Sequence, residues 1–295
     1  MALPLTVGFD GSGPGLRALD WAVDEAAVHG RPLRVVYASR WEWYELSPSS
    51  PGRGTGQAAG RAAVEAAALR ARERNPDVPV QTEVLADDPR QALLRESRTS
   101  WALVTGSRGR GGFGDLLLGS VSLAVAGRAL CPVVVVRGDE PALRREHRRV
   151  LLGVADTPGG PEAVRFAVRE AEARPCELTA LHAWRCPAHE RAGLAPLADG
   201  VCLHHRARAE TTLDAALTGP LAGHGAVPVR RTLVEGPAAG ALLDRTATAD
   251  LVVVGAHRRP HHLGLQLGRV AHALLHHAHC PVAVVPQVDE AAGPA

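Results

Sequence analysis

Trp101 to Arg137 reads WALVTGSRGRGGFGDLLLGSVSLAVAGRALCPVVVVR. An apolar run, Ala102 to Thr105, is followed by Gly106-Ser107-Arg108-Gly109-Arg110-Gly111-Gly112-Phe113-Gly114. Gly119-Ser120 comes next, then an apolar-periodic segment, then Cys131-Pro132 and the valines 133–136. This order predicts strand, glycine-rich loop, helix, strand. Glycine lets the main chain approach an anion closely and turn several N–H groups towards it. A helix opening at Gly119-Ser120 adds free amides and a positive dipole end, with Ser120 as cap or phosphate donor. A flexible connector is the plainer reading of such a loop; the agreement between glycine spacing and helix start favours the anion cradle.

Working outward, the N-terminal half alternates strand and helix. Leu3 to Phe9 reads as a strand, ending in Gly8-Phe9-Asp10-Gly11-Ser12, a turn that sets a carboxylate at the strand's C-terminal end. Asp10 there is either a ligand-facing acid or a helix cap. A helix is predicted over Gly15–His29, with Gly30 at its end, then a strand over Leu33–Ala38. Residues 40–57 read as a surface loop carrying Trp41, Trp43 and Tyr44. A helix over Gln57–Arg74, a strand over Val78–Leu85 and a helix over 89–98 opened by Asp88-Pro89 complete the half. Buried valine-rich strands alternating with helices predict an α/β fold, a parallel sheet covered on both faces. Ligands of such sheets sit beyond the C-terminal strand ends, where the strand order reverses.

The second half repeats the first. Leu151-Leu152-Gly153 matches Thr6-Val7-Gly8, and Leu178–Ala183 matches Leu33–Ala38, both at an offset of 145. Val252–Gly255 matches Leu103–Gly106, and Cys280-Pro281-Val282 matches Cys131-Pro132-Val133, at an offset of 149. This is duplication of a whole domain, since solenoid units are far shorter. The expected division is 1–137, a charged linker 138–148, and 149–288. The copies differ where chemistry is expected. Gly109 aligns with Arg258 and Ser120 with Arg269, while Gly111, Gly112 and Gly114 align with Pro260, His261 and Leu263. Asp10 aligns with Ala155, with Asp156 one residue on. Large side chains where the backbone must approach phosphate obstruct it, so the first copy reads as competent and the second as degenerate.

Composition bounds the function. The 295 residues are 46% hydrophobic and 22% charged, with a net charge of +2, which gives no reason to expect nucleic acid. The chain has no lysine, which excludes a P-loop lysine, a kinase lysine and a Schiff-base lysine. No apolar run reaches the roughly 18 residues of a membrane span, and no signal peptide is read at the N-terminus. Five scattered cysteines suit a reducing cytoplasm better than a disulfide framework. Cys186, His189, Cys202, His204 and His205 are expected in a long loop with no defensible zinc spacing. His272 and His276 form an i, i+4 pair on a predicted helix, followed by His277 and His279; a solvated face is preferred to a metal or pH-responsive patch. Gly11-Ser12-Gly13 is followed by Leu16 where a dinucleotide fingerprint has glycine, and no acid ends the strand at Ala38, which argues against hydride transfer.

Gly106-x2-Gly109-x9-Gly119-Ser120, the early Gly-x-Asp-Gly-Ser and the closing Cys-Pro-Val-Val-Val-Val together resemble the universal stress proteins, here as a tandem of two. The resemblance implies two Rossmann-like domains, each an open five-stranded parallel sheet in the order 3-2-1-4-5 with helices on both faces. It implies ATP, with or without Mg, as the ligand. Asp10 and the Ala38 backbone are expected at the adenosine, and Gly106, Gly109, Gly119 and Ser120 at ribose and phosphates. Gly8, Ser107, Arg108, Arg110, Gly111, Gly112 and Val121 complete the candidate set. Arg108 and Arg110 are read equally as phosphate partners or as solvated side chains. The last strands, Val133–Val136 and Val282–Val285, are expected to pair in a homodimer or within one chain. The expected role is a cytoplasmic, stress-responsive ATP-binding module without catalytic residues. A slow Mg-dependent ATPase, using Asp10 or Asp115, and a nucleotide-free scaffold are the alternatives.

Overall fold

The computed structural model describes residues 2–40, 55–109, 118–156, 161–186, 198–257 and 267–287. The chain divides into two compact units, Met1–Arg137 and Gly138–Ala295.

In the first unit the strands are β1 (Leu5–Gly8), β2 (Leu33–Ala38), β3 (Val80–Leu85), β4 (Ala102–Gly106) and β5 (Val133–Val136). They lie parallel in the order β3-β2-β1-β4-β5. Thr6 stands beside Arg34 on one side and Leu103 on the other, and Gly106 beside Val136. β4 and β5 are buried along their whole length, as expected of continuous apolar runs in a covered parallel sheet. α1 (Gly13–Val28) and α2 (Thr55–Arg74) pack on each other, as do α3 (Pro89–Glu96) and α4 (Ser120–Arg128), so the two pairs cover opposite faces. α1 starts at Ser12, whose Oγ accepts the Gly15 N–H at 3.1 Å. It ends where Gly30 adopts φ +57°, the left-handed conformation that glycine takes without strain. α3 is capped by Asp88.

β1 and β3 are shorter than the apolar runs suggest. Pro4 and Pro79 lack an N–H for the ladder, and their carbonyls instead accept the N–H groups of Trp101 and Leu33, both at 2.8 Å.

The second unit repeats the plan with β6 (Arg149–Val154), β7 (Glu177–Trp184), β8 (Val229–Glu235), β9 (Leu251–His257) and β10 (Val282–Gln287). Its order, β8-β7-β6-β9-β10, is again 3-2-1-4-5 in the unit's own count. Its main helices are α6 (Glu162–Ala173), α7 (Ala198–Thr218), α8 (Ala238–Thr246) and α9 (Arg269–His277). Segment 138–148, expected as a linker, carries the short helix α5 (Glu140–Leu143), capped by Asp139. Asp250, almost fully buried, accepts the N–H groups of His147 (3.0 Å) and Arg149 (3.1 Å) and so fixes the chain leading into β6.

Two readings in this half are corrected. Cys202, His204 and His205 lie on α7, not in a loop. Cys186, just past β7, forms a disulfide with Cys202 across 16 positions, whereas Cys131, Cys176 and Cys280 are buried thiols. Spacing does not reveal such a bridge, because the fold of β7 against α7 brings the two together. His189 lies outside the described residues, as do Trp41, Trp43 and Tyr44. The His272 and His276 rings stack on α9 with centroids 4.4 Å apart.

Candidate functional site

A cavity of about 440 Å³ opens at the C-terminal ends of β1, β2 and β4, the place a doubly wound sheet reserves for ligands. Its floor is Gly8, Thr105 and Gly106, the last residues of two central strands. One wall is apolar, formed by Val36, Pro89, Leu93 and Leu118. The other wall is main chain and small side chains, with Gly109, Gly119, Ser120, Val121 and Ser122.

The glycines are required by contact rather than by dihedral. A Cβ at Gly106 would stand 2.7 Å from the Pro14 carbonyl oxygen, and one at Gly8 would stand 2.8 Å from Leu93 Cδ1. At Gly15 and Gly109 the added atom would meet the two oxygens of Asp10, at 2.7 and 2.6 Å. The acid therefore sits between the α1 start and the β4 loop. Its Oδ1 accepts the Ser12 N–H at 2.9 Å, so Asp10 braces the turn while Ser12 is the cap proper.

Past β4 the chain is held at both ends of the glycine loop. Ser107 N–H donates to the Val136 carbonyl at 3.1 Å, and Gly119 N–H donates to the Ser107 carbonyl at 2.8 Å. The Ser122 hydroxyl donates to the Gly106 carbonyl at 2.7 Å, tying the first turn of α4 to the strand end. Gly119 caps α4 with no side-chain bond, so the amides of the first turn keep no intrahelical acceptor. That turn faces the cavity through Ser120 and Val121. The arrangement can accommodate a flat apolar group against Leu93 and Val36, and an anion against the α4 amides and Arg108.

Of the residues singled out in the sequence, the structure brings Gly8, Asp10, Ala38, Gly106, Arg108, Gly109, Gly119, Ser120 and Val121 to one cavity. Ser107 is buried beside it and shapes the loop without lining the space. Arg110, Gly111 and Gly112 lie outside the described residues, as does Asp115. The apolar wall and Ser122 were not read from the sequence. Ser122 had a signal, two positions after Ser120 on a helix start; Leu93 and Val36 had none, being ordinary core positions.

In the second unit Arg269 stands exposed at the first position of α9, where α4 has Ser120. Arg258, Pro260, His261 and Leu263 lie outside the described residues. Gly153 repeats the Gly8 contact, with Leu242 Cδ1 at 2.9 Å from an added Cβ.

Among the described residues no helix is long and apolar enough to cross a membrane. A universal stress protein of Mycobacterium tuberculosis (strain ATCC 25618 / H37Rv) is 33% identical over 291 residues, covering 96% of this chain and 97% of its own. The crystal structure of a universal stress protein from Archaeoglobus fulgidus DSM 4304 shares the fold, with a TM-score of 0.64 at 16% identity over 96% of this chain and 98% of its own. A universal stress protein solved in complex with cAMP matches 46% of this chain and 98% of its own, at 27% identity and a TM-score of 0.36. The Universal stress protein family model matches residues 1–137 and again 146–286, so the chain belongs to that family and carries its domain twice.

Proposed function

We propose that the first unit binds ATP and that the protein works as a nucleotide-dependent regulatory module of the cytoplasmic stress response. The observation that carries this reading is the uncapped first turn of α4 at a cavity whose opposite wall is apolar. Free amides and a positive dipole end favour phosphate, and the Leu93–Val36 wall favours the base. Asp10 and the Ala38 backbone would meet adenosine. Gly106, Gly109, Gly119, Ser120 and Val121 would hold ribose and phosphates, with Arg108 pairing a phosphate and Mg bridging the phosphates where present.

Binding rather than turnover is the favoured activity. Hydrolysis needs a placed base or water-orienting group. Among the described residues Asp10 is the carboxylate lining this cavity, and one of its oxygens is already engaged by the Ser12 N–H. Nucleotide would then act by favouring one conformation or assembly, including a homodimer formed through the last strands. Arg269 at the α9 start favours occupancy of the first unit over the second.

The test is to identify nucleotide co-purifying with the full chain, titrate ATP by calorimetry, and follow phosphate release with Mg²⁺. One bound ATP per chain without release is expected. Release that depends on Asp10 would establish the ATPase instead, and a folded chain that takes up no adenine nucleotide would leave the scaffold.

A further inference from the structure

The two units differ between their first two long helices, and the difference is a reversal of charge. In the first unit the groove between α1 and α2 is closed by two paired contacts. Arg70 donates to both oxygens of Asp20 and Arg74 to both oxygens of Asp24, all at 2.6 Å. Shifting Asp20 and Asp24 by the repeat offset of 145 leads to Arg165 and Arg169 on α6. With arginine in place of both acids, the clamp cannot form. α6 and α7 pack less closely than α1 and α2, and a cavity of about 760 Å³ lies against them.

One side of that cavity is a single stripe of α7, Arg208, Thr211, Thr212, Ala215 and Ala216, with Gly219 just past the end of the helix. The spacing of three and four residues places the five helical residues on one face. Small residues at the C-terminal end of the stripe leave room, and Ala163 and Val164 of α6 extend the apolar surface. The polar end is cationic. Arg165 and Arg208 both line it, and among the described residues neither side chain has an ion pair or hydrogen bond. The first turn of α6 also lies there, begun by Pro161, with no side-chain cap on its amides. Gln287, nearly fully buried, adds an amide. The acid in the lining, Asp156, lies 3.4 Å from His182 Nε2. Glu162, the first residue of α6, adjoins the cavity without lining it.

We infer that this cavity is a second ligand site, for a small amphipathic anion: a carboxylate or sulfonate head on an apolar body. The head lies between the two guanidinium groups, which give charge-assisted hydrogen bonds to an oxyanion. The body lies along Ala163, Val164, Ala215 and Ala216. The volume is within the range of roughly 300–1,000 Å³ usual for small-molecule sites. Gly153, Ala155 and Gly255, the counterparts of Gly8, Asp10 and Gly106, also line the cavity, which thus opens at the C-terminal ends of β6 and β9; it shares no residue with the site of the first unit.

The experiment uses the full chain with 8-anilinonaphthalene-1-sulfonate as fluorescent probe and decanoate as competitor. One saturable site is expected, from which decanoate displaces the probe and decanol does not. Arg165→Asp with Arg208→Ala should weaken both ligands by about tenfold or more, from the loss of charged hydrogen bonds. Ala216→Trp should block the apolar end. Gly109→Arg, aimed at the nucleotide site of the other unit, should leave the affinities for the probe and for decanoate as they are. Both arginines are exposed and have no side-chain partner among the described residues, so unaltered circular dichroism and melting are expected; should the double variant unfold, Arg208→Gln and Ala216→Trp carry the test singly. Saturable binding that survives these variants, equal competition by decanol, or no saturable binding by the folded wild type would each overturn the inference.

Discussion

Asp10 and Gly109 share one space. A side-chain carbon at position 109 would stand 2.6 Å from Asp10 Oδ2, so the acid and the glycine are a matched pair across the mouth of the first cavity. Gly109→Arg should abolish most ATP binding, and Gly109→Ala should weaken it. Asp10→Gly removes the obstacle, so adding Gly109→Ala in that background should cost little further. A double-mutant cycle by calorimetry reads the coupling directly. Additive losses would show that the pair does not act as a unit.

Gly106 faces backbone, which cannot yield as a side chain can. Its added carbon would meet the Pro14 carbonyl at 2.7 and 2.8 Å. Gly106→Ala should therefore destabilise the first unit by about 1–3 kcal/mol, the usual cost of overpacking. Gly8→Ala meets only the end of Leu93 and should cost less. Chemical denaturation of the two variants ranks them, and the reverse order would refute the argument.

Asp88 gives a pH signature. The Arg90 guanidinium beside it, with the Arg90 and Gln91 amides, holds its carboxyl at about 2 despite the opposing effect of burial. A carboxyl lowered in the folded state stabilises above its unfolded value, and that stabilisation is lost as pH falls through the folded one. The contribution should thus fade from about pH 4 to about pH 2. Asp88→Ala should cost about 1 kcal/mol at neutral pH through loss of the α3 cap. It should also flatten the acid limb of the stability curve. An unchanged acid limb in this variant would count against the assignment.

The Cys186–Cys202 bridge ties the chain after β7 to the first turns of α7. Closing a loop of about 15 residues is worth about 3 kcal/mol by chain entropy. Cys202→Ser, or reduction of the wild type, should lower the stability of the second unit by up to about that amount. The first unit, whose one cysteine is the buried Cys131, should be unaffected. Denaturation with and without reductant checks this; equal stability of both forms would remove the bridge from the account.

Much of the architecture is legible in the sequence. Leu33–Ala38 and the valines 133–136 are continuous apolar runs bounded by turn residues, and both strands have those limits. Gly119-Ser120 marks the α4 start because both residues are favoured where a helix begins, and the helix does begin at Ser120. What escaped depends on distant parts of the chain meeting. Leu93 looks like any amphipathic helix residue until β1 and β2 place Gly8 and Val36 beside it. Cys186 and Cys202 are unremarkable until a strand and a helix align them. The change from Asp20 to Arg165 is plain in the letters, yet it has no meaning until Arg70 is seen to reach Asp20.

Asp250 determines where the C-terminal half can be cut free. Its two oxygens hold amides on both sides of Arg148, and the preceding residues are tied in by the Asp139 N–H, which donates to the His279 carbonyl at 3.1 Å. A fragment started at Arg149 forfeits the His147 and Asp139 bonds and strands part of a buried carboxylate; one started at Gly138 keeps them all. The boundary of this folding unit is thus drawn by an acid about a hundred residues further along the chain, and an expression plasmid laid out by sequence repeats alone would trim away its anchor.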